Sequence, residues 1–215
     1  TGMFGITKPA YGPLWETTPF YSKEVESISS FNPDKAKQLL DAAGWVPGGD
    51  GIRSKNGQRL TVTLPTQDFT KPFDVTSQSN WKNVGIELQL QPMAVAASFQ
   101  AIADDKVNSA VQAWVSSDPI VLTNLFHSKN IKGGYAWSKY SDPKLDQLLD
   151  SGQSAIDDTQ RASIYAQIQK IIMDNALIVP YYGNPEDSTA YQSKYQGFKQ
   201  DFRNYGWFYD TWLKS

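Results

Sequence analysis

A chain of 215 residues, 40% hydrophobic and 20% charged, is long enough to bury a core as one large domain or one domain plus an appendage. Its 20 basic and 22 acidic residues leave a net charge of −2, and no basic cluster exceeds a pair, which argues against a nucleic-acid surface. The absence of cysteine removes disulfides, thiolate nucleophiles and cysteine metal sites, and no apolar run approaches the roughly 18 residues that cross a bilayer.

Residues 1–31 show no periodicity, carry Pro9, Pro13 and Pro19, and read as an extended segment lying on the surface. So long an unpatterned stretch points to a partner that is missing or lies across an interface. Thr1 is not an initiator residue, so the lack of a signal peptide says nothing about location. Asn32-Pro33 then opens a helix whose apolar stripe is Ala36, Leu39, Leu40 and Ala43, closed by Gly44. From Gly48 to Leu64 the pattern is a hairpin, in which Ile52-Arg53-Ser54-Lys55 leads into the type I′ turn signal Asn56-Gly57. Leu60, Val62 and Leu64 alternate with Thr61 and Thr63 as a half-buried strand.

Residues 71–84 read as a helix around Trp81 and Val84. Gly85 opens a strand with Ile86, Leu88 and Leu90 on one face, and Ala94 to Asp104 reads as a helix. Ala110 to Val115 is nearly continuous apolar chain, the pattern of a central strand covered on both faces. Asp118-Pro119 and Asp142-Pro143 repeat the capped helix start, the second with Leu145, Leu148 and Leu149 facing inward. A longer helix over about 159–175 carries Ile164, Ile168, Ile171 and Ile172 on one side, and Leu177 to Tyr182 is the last strand. After Pro185 the tail is rich in Tyr, Phe, Trp and Gly without helical pattern. Strands alternating with helices indicate an α/β fold with a parallel or mixed sheet.

Catalytic chemistry finds little to stand on. His127 is the sole histidine, and no G-x-S-x-G elbow supplies a serine for it, so it reads as a polar loop residue beside the Phe126 anchor. One histidine and scattered carboxylates do not make a zinc site. Asp104/Asp105 and Asp157/Asp158 point apart as chain neighbours and suit helix ends. Gly48-Gly49-Asp50-Gly51 lacks the Gly-Lys-Ser/Thr ending of a phosphate loop and reads as a turn. No catalytic residue, metal ligand or cofactor is expected.

A binding constellation remains. Trp114 ends the apolar strand, and Ser116, Ser117 and Asp118 follow in a loop that starts a helix. Open α/β sheets bind ligands outside the carboxyl ends of their strands, where free N–H groups at a helix start add donors. A flat aromatic, short hydroxyls and a carboxylate suit a polar or zwitterionic small molecule. The competing reading packs Trp114 into the core and leaves Asp118 as a helix cap. Tyr135 and Trp137, beside Gly133-Gly134, are further candidates.

Several ordered motifs carry a family likeness. Asn32-Pro33-Asp34-Lys35-Ala36-Lys37-Gln38-Leu39-Leu40, Ala43-Gly44-Trp45, Asp50-Gly51-Ile52-Arg53 and Asn56-Gly57 come first. Leu125-Phe126-His127-Ser128, Tyr140-Ser141-Asp142-Pro143-Lys144-Leu145-Asp146, Arg161, Tyr165 and Gln169, Val179-Pro180-Tyr181-Tyr182 and Gly197-Phe198 follow in order. Over about residues 20–215 the chain resembles the family 5 extracellular solute-binding proteins, the oligopeptide-, dipeptide- and nickel-binding type that serve ABC importers.

The resemblance implies a type II periplasmic-binding-protein-like lobe, with a mixed sheet flanked by helices and a C-terminal tail from the other lobe. Residues 1–178 would form most of the second lobe of a longer protein, and residues 179–215 the hinge crossover and a tail of the first. Trp114 matches the family tryptophan before the ligand loop. Peptide binders commonly place a carboxylate three residues beyond it; here Ser117 stands there and Asp118 comes next.

The implied function is capture of a small solute, a peptide foremost, by hinge closure. A monomer outside the cytoplasm, periplasmic or membrane-anchored, would deliver that solute to permease subunits, without nucleic acid. The aromatic content also permits a secreted carbohydrate-active protein, lectin-like or a glycoside hydrolase, the latter needing two carboxylates opposed across a cleft. A structural interaction domain is the third reading.

Overall fold

The computed structural model describes residues 8–28, 30–66, 71–111, 114, 116–181, 193–200 and 206–214. Their contacts divide the chain into two compact units, one drawn from Ser30–Ala113 and the other from Ile6–Ser29 with Trp114–Ser215.

The first unit begins with α1 (Pro33–Ala42), where Asn32 Oδ1 accepts from Lys35 N at 2.9 Å. Gly44 N donates to Asp41 O and Trp45 N to Leu40 O, so the helix closes in the paired motif that uses up its last carbonyls. Its apolar stripe is not covered, however: no residue of α1 is buried, and Leu39 is 58% exposed. β1 (Val46–Pro47), β2 (Arg53–Lys55) and β3 (Gln58–Arg59) form an antiparallel sheet. Asn56 and Gly57 turn the hairpin with φ of 53° and 77°, both left-handed as a type I′ turn requires. Asp50 Oδ1 accepts from Ile52 N at 3.1 Å, the local bond of a turn rather than a ligand loop.

β4 (Thr61–Thr66) runs parallel to β5 (Glu87–Pro92), pairing Thr61 with Glu87 through Thr66 with Pro92, with α2 (Lys71–Lys82) as the crossover. Leu64 of β4 and Leu88 of β5 are buried, α2 packs on β5, and α3 (Val95–Ala103) follows. The strand expected at Ala110 to Val115 is not formed by the residues described there. Ala110, Val111 and Trp114 carry no ladder, and 112, 113 and 115 lie outside the described residues. The preceding pair explains the difference. Asn108 Oδ1 accepts from Thr63 N at 2.7 Å, Asn108 Nδ2 donates to Thr61 O at 3.3 Å, and Ser109 Oγ donates to Thr63 O at 3.0 Å. Side chains thus occupy the edge of β4 that a third strand would have used.

The second unit is built on helices. α4 (Val121–Phe126) packs on α5 (Pro143–Ser154), which packs on α6 (Asp158–Asp174). Leu122, Phe126, Leu145, Leu149, Ile164, Tyr165, Ile168 and Ile172 are its core, so both isoleucine and leucine stripes face inward as their periodicity predicts. The stretch at 8–28 does more than lie on the surface. Leu14 and Val25 are buried, and Phe20 stacks on Tyr165 with centroids 5.7 Å apart and planes 8° apart. Gln169, fully buried on α6, accepts from Ser22 N at 3.2 Å and donates to Phe20 O at 2.8 Å and Tyr165 O at 2.9 Å.

Leu177 to Tyr181 carry no ladder among the described residues; Tyr181 O accepts from Ala10 N at 3.5 Å, and residue 182 lies outside the described residues. In the tail β6 (Tyr195–Gln196) pairs antiparallel with β9 (Trp212–Leu213), and β7 (Lys199–Gln200) with β8 (Gly206–Trp207).

Tyr21 tests how firmly the segment is seated. Its hydroxyl donates to Glu26 Oε1 at 3.0 Å, and burial first, then that carboxylate, push the phenol up to about 12. The folded state holds this proton more tightly than an unfolded chain with its ordinary value of 10.0. The associated stability is therefore complete below about pH 10 and is lost as pH rises toward about 12. A phenolate-absorbance titration, wild type minus Tyr21→Phe, is expected to show a midpoint near 12. A midpoint at the ordinary value would mean that the segment leaves Tyr21 in water.

Candidate functional site

Three of the residues singled out in the sequence come together as one cluster of rings. Trp114 and Tyr135 meet edge to face with centroids 4.8 Å apart, Tyr135 and Trp137 at 5.7 Å, and Trp114 and Trp137 at 6.4 Å. Trp114 is 41% exposed and Tyr135 48%, so Trp114 is not a core residue. The edge-to-face geometry is the favoured one for aromatic pairs, worth ~0.5–1.5 kcal/mol each beyond area burial. Large rings held rigid by one another yet open to solvent can receive an apolar or planar group with little further ordering cost.

The loop after Trp114 is more occupied with itself. Ser116 Oγ donates to Asp118 O at 2.8 Å and accepts from Asp118 N at 3.1 Å. Asp118 Oδ1 accepts from Ile120 N at 2.8 Å, so this carboxylate closes the turn into α4, as the competing reading held. Val121 N and Leu122 N donate to Asp118 O and Pro119 O. Free donors at this helix start were expected, but the turn's own oxygens take them. Ser117 and Asp118 are both exposed. Trp114 itself carries no ladder, and the residues 112 and 113 that would complete a strand before it lie outside the described residues.

The other half of the cluster stands on a loop that the sequence reading left unexplained. Ala136, between Tyr135 and Trp137, is 1% exposed and donates its N–H to Asn130 O at 3.2 Å. Gly134 lies flush on the same residue, where a Cβ would stand 2.7 Å from Asn130 O, so only glycine fits. Asn130 Nδ2 in turn donates to Thr123 O of α4 at 2.9 Å.

His127 was read as a loop residue; it is buried, and two carboxylates of α5 face it. Nδ1 lies 3.1 Å from Asp146 Oδ1 and accepts from Lys129 N at 3.2 Å, while Nε2 lies 3.4 Å from Asp150 Oδ1. Asp146 also accepts from Ser128 N at 2.9 Å and from Ser128 Oγ. The serine hydroxyl thus donates to the carboxylate, not to the imidazole, which is not the order of a nucleophile and its base. Sequence reasoning missed Asp146, Ser128 and Asn130 and left His127 as a loop residue. The signal available was that His127, Ser128 and Asp146 all fall in the motifs of the family likeness. Among the described residues no group of three or more His, Asp or Glu side chains is arranged for a metal, and no helix is long and apolar enough to cross a membrane.

Residues 1–133 match the profile of the bacterial extracellular solute-binding proteins, family 5 Middle. The chain is 34% identical over 176 residues to Protein XP55 of Streptomyces lividans, covering 79% of this chain and 31% of that protein. It is 30% identical over 203 residues to the oligopeptide-binding protein AppA of Bacillus subtilis strain 168, covering 91% and 37%. The solved structure of AppA from Bacillus subtilis in complex with a nonapeptide superposes with a TM-score of 0.82 at 26% identity, over 100% of this chain and 44% of that one. This chain therefore spans about a third of the length of these curated relatives. The neighbours bear out the α/β fold of a periplasmic-binding-protein lobe. With the profile covering more than half of its length and a relative above 30% identity, the chain belongs to the family 5 bacterial extracellular solute-binding proteins.

Proposed function

We propose that this chain is part of the substrate-binding component of an ABC importer and that it captures a peptide without chemical change. The cluster of Trp114, Tyr135 and Trp137, preformed and solvent-facing, carries this reading. The rings would be the flat wall of the solute site, with Ser116 and Ser117 offering hydroxyls at its edge and Asp118 a carboxylate for a cationic group. The names of the relatives support a peptide as solute, since AppA is an oligopeptide-binding protein solved with a nonapeptide. The hydrogen-bond order around Asp146 supports binding over catalysis.

In the whole protein, residues 1–178 would supply most of one lobe, and residues 179–215 the hinge crossover and part of the other. Closure of the lobes on the solute would favour the state that docks on the permease subunits. The component would act as a monomer on the outer side of the cytoplasmic membrane, in the periplasm or held by an anchor.

Titrating the full-length protein with a peptide library, followed by tryptophan fluorescence and calorimetry, tests the solute class. Saturable binding is expected, with Trp114→Ala weakening it at least about tenfold, or ~1.4 kcal/mol. Silence toward peptides with a response to metal chelates or oligosaccharides would remove the peptide reading. Unchanged affinity in Trp114→Ala would remove the site.

A further inference from the structure

We propose that Asp146 is the positioning residue of the ring cluster, acting through the turn at residues 127–130; as a role in solute capture this rests on the reading of the rings as the solute wall. Asp146 and Asp150 stand one helical turn apart on α5 and face the same way. They face three consecutive residues at the end of α4, of which Asp146 holds the middle one, Ser128, by hydrogen bonds. Asp146 takes the main-chain N–H and the hydroxyl of Ser128, and both carboxylates flank the imidazole of His127. Lys129 Nζ lies 3.6 Å from Asp150 Oδ1.

Hydrogen bonds to a carboxylate are roughly twice as strong as neutral ones, and Asp146 is only 21% exposed, so these two bonds are a strong clamp on the turn. The next residue, Asn130, is the floor of the aromatic loop. Its N–H donates to His127 O at 2.9 Å, its carbonyl accepts from Ala136 N at 3.2 Å, and Gly134 lies directly on it. The path from Asp146 to the rings thus runs through Ser128, Asn130 and Ala136. Tyr135 and Trp137 leave Ala136 on either side to meet Trp114. Their centroid spacings are 4.8 to 6.4 Å, so an ångström-scale shift of that floor would change them.

The test reads the rings themselves. Near-ultraviolet circular dichroism of the full-length protein is recorded for wild type, Asp146→Asn and Asp146→Ala, each with and without Trp137→Phe. The Trp137-dependent difference spectrum, which reports coupling among the rings, is expected to fall at least about twofold in Asp146→Ala. Asp146→Asn, whose amide oxygen still accepts from Ser128 N, is expected to retain more of it. Peptide affinity is expected to fall in the same order. A lowered Tm with the difference spectrum intact would mean that Asp146 only stabilises the fold, and would overturn the proposal.

If Asp146→Ala does not fold by far-ultraviolet dichroism, Ser128→Ala removes one bond of the clamp. A partial loss of the difference spectrum there supports the proposal, and no loss overturns it. A protein that binds no peptide while its ring spectrum collapses in Asp146→Ala would refute the solute reading and uphold the positioning role.

Discussion

Gln169→Leu is expected to destabilise the second unit by about 3 kcal/mol and to release the segment around Phe20 and Ser22. The side chain volume is nearly kept, so no large cavity forms. The amide's three bonds are lost, and two of them, accepted from Ser22 N and donated to Phe20 O, hold the segment. Each partly buried backbone group left without a partner costs ~1–3 kcal/mol. A second effect acts in the same direction. Phe20 is held at φ 64°, a left-handed conformation costing about 1–3 kcal/mol for a residue with a bulky side chain. It persists because Tyr165 stacks on one side of the segment, the Arg161 guanidinium lies 4.8 Å from the Phe20 ring, and Gln169 fixes the carbonyl. With Gln169 gone, the strain favours release. Chemical denaturation should show the loss, and hydrogen exchange should show Ser22 N exchanging with the local rather than the global opening. Unchanged protection at Ser22 would mean that the aromatic stack alone holds the segment.

This segment marks where the sequence was legible and where it was not. Helix starts were read correctly because they depend on neighbours: Asn32, Asp142 and Asp157 each accept from a backbone N–H two or three residues on. The stripes of α5 and α6 were legible for the same reason, since 3.6-residue periodicity is written locally. Residues 8–28 carry no long period because their one regular element is the 3-10 turn Lys23–Ser27; much of their order comes from α6, including a glutamine 147 positions from Ser22. The expected strand at Ala110–Val115, of which 112, 113 and 115 lie outside the described residues, met a non-local condition of the same kind. An apolar run shows that a segment can be covered, but a ladder needs a free edge beside it, and at β4 Asn108 and Ser109 had taken it.

At the candidate site, aromatic residues among glycines signalled exposure correctly, and the three rings do meet. Asp118 was ambiguous, because a carboxylate that caps a turn and one that meets a ligand have the same sequence. Asp146 stood in a family motif but with no role attached, because in the first turn of a helix an acidic residue is explained by the dipole alone.

Arg53→Met is expected to cost the first unit about 3 kcal/mol, while Asp41→Ala costs less than about 1 kcal/mol. The two residues form an ion pair of 2.5 Å, yet their surroundings differ: the Arg53 side chain is 6% exposed and that of Asp41 59%. Asp41 freed of its partner is simply hydrated. Arg53 also donates from Nε to Val84 O at 3.0 Å and from NH1 to Trp45 O at 2.7 Å. These carbonyls lie just past the C-termini of α2 and α1, where the helix dipoles concentrate negative charge. One guanidinium therefore neutralises two helix ends, and Gly85 makes room for it, since a Cβ there would stand 2.6 Å from Arg53 Cγ.

Methionine fills the same space but leaves both carbonyls without a donor. Replacing a buried ion pair by apolar groups can be neutral when both charges leave together, but here the acceptors are main chain and cannot leave. Arg53→Lys, a single point donor, is expected to recover less than half of the loss because it cannot span both carbonyls. Denaturant midpoints of the three variants decide the matter: equal losses in Arg53→Met and Asp41→Ala would assign the stability to the ion pair and not to the bridging of the two helices.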